Sequence, residues 1–148
     1  MPTRAWDVSE GIRDPERFFA LVPSLFPEAT HLFVEGSSIA PDVRACYARF
    51  EEPGPYLPGR QTFWPSSKLY RLKATPELFQ SLSTLASRHA YAEILHHLGL
   101  YRDTQPLLQW HDAFANAILL DGELREETVA ELAGAFGCEY GRVRYRGE

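Results

Sequence analysis

Three of the chain's five histidines, His96, His97 and His111, fall within sixteen residues, and Asp112 follows directly. An imidazole titrates near neutral pH, and a carboxylate that fixes its tautomer turns it into a general base. The same side chains are ligands for divalent transition metals. Between them lies a turn signal, Asp103-Thr104-Gln105-Pro106, flanked by two half-apolar runs, which predicts a β-hairpin over about 97–112. With Thr104-Gln105 as the loop, His97 faces Asp112, Gly99 faces Trp110 and Tyr101 faces Leu108 on one side. Gly99, lacking a side chain, would then leave room for the indole. The other side carries His96, Leu98, Leu100, Leu107, Gln109 and His111, with His96 and His111 as diagonal neighbours within reach of one ion. A slip of one residue exchanges the two sides. A His–Asp bond that simply ties a sheet together is the commoner use of such a pair, because buried polar groups must find partners in any case.

Other catalytic spacings are missing. Cys-x-x-Cys, His-Glu-x-x-His and Gly-x-Ser-x-Gly do not occur, and Cys46 and Cys138 stand ninety-two positions apart. No cofactor is therefore expected. Gly36-Ser37-Ser38, between a strand and a helix start, offers backbone N–H groups to an anion but lacks the Lys of a phosphate-binding loop.

Two further segments suggest recognition rather than catalysis. Pro53 to Pro65 holds four prolines and two glycines in thirteen residues, with Tyr56, Phe63 and Trp64 embedded in it. Such a loop either serves as a binding segment or is pinned to the body by its rings. Asp121, Glu123, Glu126, Glu127 and Glu131 crowd a second segment in which Arg125 is the sole cation. Just beyond, Arg142, Arg144 and Arg146 recur at every second residue, a row for one face of a strand. There they would protect a sheet edge or receive carboxylates.

The elements that must position these groups are clearly punctuated. Asp14-Pro15-Glu16 and Thr75-Pro76-Glu77 each supply an N-cap, a proline at the first helical position and a carboxylate in the first turn. The first helix should be short, since Pro23 and Pro27 follow. A helix from Pro41 places Val43, Cys46, Tyr47 and Phe50 on one apolar stripe, which makes the Cys46 thiol a core residue. The helix from Pro76 buries Leu78, Leu82, Leu85 and, at its end, His89. Glu126 and Glu127 open a last helix whose Val129, Leu132, Ala133 and Phe136 share a face, ended by Gly137. Strands are read at 31–35, 68–73, 117–120 and 138–146, besides the hairpin. Ala90 to Leu98 fits either an extension of the preceding helix or a strand.

The expected fold is α/β or α+β, a single domain spanning 1–148, with a mixed sheet of about five to six strands and helices packed on it. A chain of 148 residues with 45% hydrophobic content can bury a sizeable core. The longest wholly apolar run, Phe18 to Val22, is far shorter than the roughly 20 residues of a membrane span. With no signal-peptide pattern and only two cysteines, a cytoplasmic location follows. Thirteen of the fifteen basic residues are arginine, a usage typical of GC-rich bacterial genomes. A net charge of −5 argues against nucleic-acid binding, which depends on cations neutralising phosphates. The leading expectation is a protein-binding module, inhibitor- or immunity-like toward a basic partner, contacting it through Tyr56, Phe63, Trp64, Glu123, Glu126 and Glu127. Two alternatives stand beside it. One is a hydrolase or lyase using His97 with Asp112, or a metal on His96 and His111; the other is a structural subunit of a homo-oligomer.

Overall fold

A computed structural model of the chain describes residues 3–54 and 68–145. Among the described residues three of the four α-helices open on a proline, whose missing N–H falls where the helix has no acceptor for it. They are α1 (Pro15–Leu25), α2 (Pro41–Phe50) and α3 (Pro76–Ala86). Asp14 accepts the Arg17 N–H at 3.2 Å and Thr75 accepts the Leu78 N–H at 3.2 Å, so both predicted caps form. Ala40, at the same position before α2, has no side-chain oxygen to offer. The fourth helix, α4 (Glu126–Ala135), carries two carboxylates in its first turn and is followed by Gly137 at φ +66°, a left-handed conformation that favours glycine.

Among the described residues seven strands are interspersed with these helices, three of them consecutive: β1 (Thr3–Val8), β2 (His31–Gly36), β3 (Lys68–Lys73), β4 (His97–Arg102), β5 (Gln105–Trp110), β6 (Ile118–Asp121) and β7 (Tyr140–Tyr145). They form one sheet in the order β3-β2-β4-β5-β6-β1-β7, and every neighbouring pair is antiparallel. The mixed α/β class stands, with two corrections. Among the described residues there are seven strands rather than five or six, and none runs parallel to its neighbour. Alternation of helix and strand sets only the order of elements. Direction depends on which end of the sheet each connection returns to, which local sequence does not encode. Nor does Ala90 to Leu98 extend α3: a single 3-10 turn at Tyr91–Glu93 precedes β4.

One alternate set of strand residues builds the core. Trp6, Val8, Leu32, Val34, Leu72, Leu98, Leu100, Leu108, Trp110, Ile118 and Leu120 join Phe18, Phe19, Val22, Val43, Tyr47, Leu78, Leu82, Val129 and Leu132 from the helices in one buried cluster. Cys46 lies in it as expected. Full burial of a side chain such as Phe18 stabilises the fold by roughly 1.5–3 kcal/mol. The indole of Trp110 packs 5.0 Å from the Phe18 ring and 4.5 Å from that of Phe114, and its N–H donates to the Asn116 carbonyl at 2.9 Å. The other set, including Phe33, Glu35, His97, Gly99, Tyr101, Gln109 and Leu119, lies on the opposite side of the sheet. Among the described residues β3 and β7 are the two edges.

Candidate functional site

The hairpin register decides what the histidines meet. The turn closes on Asp103-Thr104, one residue earlier than the spacing suggested. Asp103 takes a left-handed φ of +55° and donates its N–H to Thr30 Oγ1 at 2.7 Å. A bulge between Leu100 and Tyr101 shifts the register once more along the strands. Leu98 therefore pairs with Trp110 and Gly99 with Gln109. The indole points into the core beside Leu98, so Gly99 is not what makes room for it. His97, rather than His96, becomes the neighbour of His111: the two imidazoles stack at 4.0 Å between centroids and 4° between planes.

Beyond β5 the chain turns through Asp112 at φ +50° and Phe114 at φ +68°. That turn aims the Asp112 backbone N–H at His97 Nδ1, 2.9 Å away. A nitrogen that accepts an N–H carries no proton, so the neutral His97 ring holds its hydrogen on Nε2. The Asp112 carboxylate stands 3.9 Å from the same Nδ1, outside hydrogen-bond range, and 3.8 Å from His111 Nε2. Asp112 thus fixes the tautomer of His97 through its backbone rather than its side chain. Burial pushes the His97 pKa down, His111 adds to the depression, and Asp112 and Glu35 oppose it. His97 is mostly buried, whereas the side chain of His111 is 74% exposed. The His96 ring is directed elsewhere, with Nε2 at 3.3 Å from Ser37 Oγ, while its backbone N–H donates to the Glu35 carbonyl at 2.7 Å. His96 and Asp112 line a pocket of about 310 Å³ with Tyr91, Ala113, Ala115 and Asn116.

A buried carboxylate, Glu35, joins this cluster with no motif in the sequence to mark it. It is the register partner of His97 on β2 and is 5% exposed. The available signal was a carboxylate at the end of an otherwise apolar strand. Two further histidine clusters have no sequence motif either. His31 Nε2 lies 2.7 Å from the Glu52 carboxylate, which Arg71 also contacts at 3.3 Å. The His31 bond holds the Glu52 pKa below its usual value. His89, beyond the end of α3 and not on its buried side, sits between Asp42 at 2.9 Å and Glu93 at 3.3 Å. The bond to Asp42 raises the His89 pKa and lowers that of Asp42.

The acidic segment presents Glu123, Glu126, Glu127 and Glu131 to solvent at the start of α4. Asp121 is drawn away by Gln105, whose amide donates to it at 2.7 Å. Tyr140 of β7 is 38% exposed and donates its phenol to Glu126 at 3.0 Å, which pushes the phenol pKa up. Arg142, exposed on the β7 edge, is positioned by two contacts within the chain. Its guanidinium lies 4.1 Å from the centre of the Trp6 ring and donates to the Gly122 carbonyl at 3.3 Å. Of the sequence-read binding residues, Tyr56, Phe63 and Trp64 lie outside the described residues, as does Arg146. Among the described residues no helix is long and apolar enough to cross a membrane.

Among the described residues the fold is a mixed α/β domain, four helices with a seven-stranded antiparallel sheet. No family model, no curated protein and no solved structure matches the chain.

Proposed function

We propose that this chain is a protein-binding module that recognises a basic partner, in the manner of a cytoplasmic inhibitor or immunity protein. The observation that carries this reading is the placement of the exposed Tyr140 ring beside the Glu126 carboxylate, on an edge strand next to the acidic start of α4. Tyrosines at the centre of an interface supply much of its binding energy. A surrounding set of carboxylates speeds encounter with a positively charged surface and excludes acidic ones. Glu123, Glu126, Glu127 and Glu131 exceed what one helix N-terminus needs for its own dipole.

The hydrolase or lyase reading is less favoured. A base acting through His97 Nδ1 must first give up the Asp112 amide, and the Asp112 carboxylate is not placed to orient the ring. A homo-oligomer would use the same β7 edge, and light scattering distinguishes it from binding to a different protein.

Affinity purification from the native host at low salt tests the reading. Wild-type protein is expected to recover a basic partner. Tyr140→Ala should weaken recovery roughly 30-fold, the equivalent of a hot-spot loss of about 2 kcal/mol. Glu123→Gln with Glu126→Gln and Glu127→Gln should abolish its salt sensitivity. Recovery unaffected by both variants overturns the proposal.

A further inference from the structure

The geometry points to a transition-metal site formed by His97, His111 and Asp112, open to solvent and taking zinc or copper rather than magnesium or calcium. Among the described residues this is the one place where ligand atoms of three such side chains lie within 4.8 Å of one another. Two imidazoles and one carboxylate suit divalent ions at the zinc end of the first transition row, while magnesium and calcium prefer all-oxygen sets. The inference is independent of the acidic surface, which lies on other elements.

The donors are close to the spacing an ion requires. Tetrahedral coordination with metal–ligand bonds of about 2.0–2.1 Å sets neighbouring ligand atoms roughly 3.3–3.4 Å apart. Asp112 Oδ1 stands 3.9 Å from His97 Nδ1 and Oδ2 stands 3.8 Å from His111 Nε2, so the carboxylate already lies between the two rings. The nitrogen of His97 nearest the carboxylate already lacks a proton, because it accepts the Asp112 N–H. An ion there would displace one neutral hydrogen bond and no proton.

One rearrangement is needed, and the exposed partner makes it. A metal lies in the plane of each imidazole that binds it. Two rings only 4° from parallel and 4.0 Å apart share no such point. The His111 side chain is 74% exposed and can turn about its side-chain bonds, giving up the stack on His97, whereas His97 is held by its surroundings. His97 is the fixed ligand, Asp112 sits on the left-handed turn that aims it, and His111 swings in. Three protein ligands leave a fourth position for water or a substrate atom. The charged and titratable groups around His97 are Glu35, His96, His111 and Asp112; Glu35, on the neighbouring strand, adds negative charge beside the ring.

Zinc ions titrated into tag-free protein, followed by calorimetry, test the site. Visible absorption with cobalt as a replacement reports the ligand geometry. One equivalent of zinc should bind, and magnesium should not compete. His111→Ala, an exposed change that spares the fold, should weaken zinc at least by the roughly 10–100-fold typical of losing even an outer-shell partner. Asp112→Asn keeps a residue tolerant of the left-handed turn and should also weaken it. His89→Gln and Cys138→Ser remove ligands elsewhere and should leave binding unchanged. Binding should fall as pH drops and protons compete for the imidazoles. The inference is overturned if wild-type protein takes up no zinc, or if His111→Ala binds as tightly as wild type. It is equally overturned if the ion is lost with His89 or Cys138 instead.

Discussion

His89 and His97 belong to one chain, and each has carboxylates nearby, yet their protonation is driven in opposite directions. His89 presents both ring nitrogens to carboxylates, Nε2 to Asp42 at 2.9 Å and Nδ1 to Glu93 at 3.3 Å. Both can donate only when the ring is charged, and its pKa is raised. His97 receives an amide hydrogen on Nδ1, lies mostly buried and stacks on a second imidazole, and its pKa is lowered. A carboxylate 3.9 Å away does not reverse that. For His97, burial and the neighbouring His111 outweigh the mere proximity of an acid, whereas for His89 a direct bond to Asp42 prevails.

The strongest way to break this contrast is to remove the support beneath His97. Trp110→Ala empties a fully buried site under the turn that carries His111 and Asp112, and should destabilise the protein by about 3–5 kcal/mol in urea unfolding. In the surviving folded protein, the His97 pKa measured by NMR should return toward its ordinary value, with that of His89 unmoved. A shift of both would mean that the two sites are not separate.

Stability against pH gives a smaller effect with opposite slopes. The raised pKa of His89 means that its contribution is full below the ordinary imidazole value of about 6.5 and is lost as pH rises through the folded pKa. His97, with its pKa depressed, contributes fully above about 6.5 and loses that contribution as pH falls toward the folded value. In unfolding measured across this range, His89→Gln should flatten only the alkaline limb. A flattened acid limb in that variant would contradict the assignment. The smallest effect is expected from His111→Ala, which removes a like charge and should raise the His97 pKa slightly, visible as a displaced NMR titration.

Punctuation was the most legible part of this sequence. Asp14-Pro15-Glu16 and Thr75-Pro76-Glu77 form the caps they spell, and the Val129, Leu132 and Ala133 stripe is buried as its spacing requires. These signals are local. Strand β1 escaped notice because its evidence is remote: Ala5 pairs with Asp121 and Val8 with Tyr140. The histidine cluster was half-legible. A hairpin bringing residues near 97 and 111 together follows from its turn residues and apolar runs. Which histidine meets which rests on a turn placed one residue earlier and on a bulge, and a single step reverses every face. Glu52 reaches His31 across a connection that no periodicity describes.

The amide of Asp112 occupies the lone pair that a proton would take on His97. Charging the ring therefore costs that one bond, while the Ala113 N–H to the His96 carbonyl and the Trp110 indole to the Asn116 carbonyl still tie the turn down. Hydrogen exchange at the Asp112 amide alone is expected to accelerate through the His97 titration.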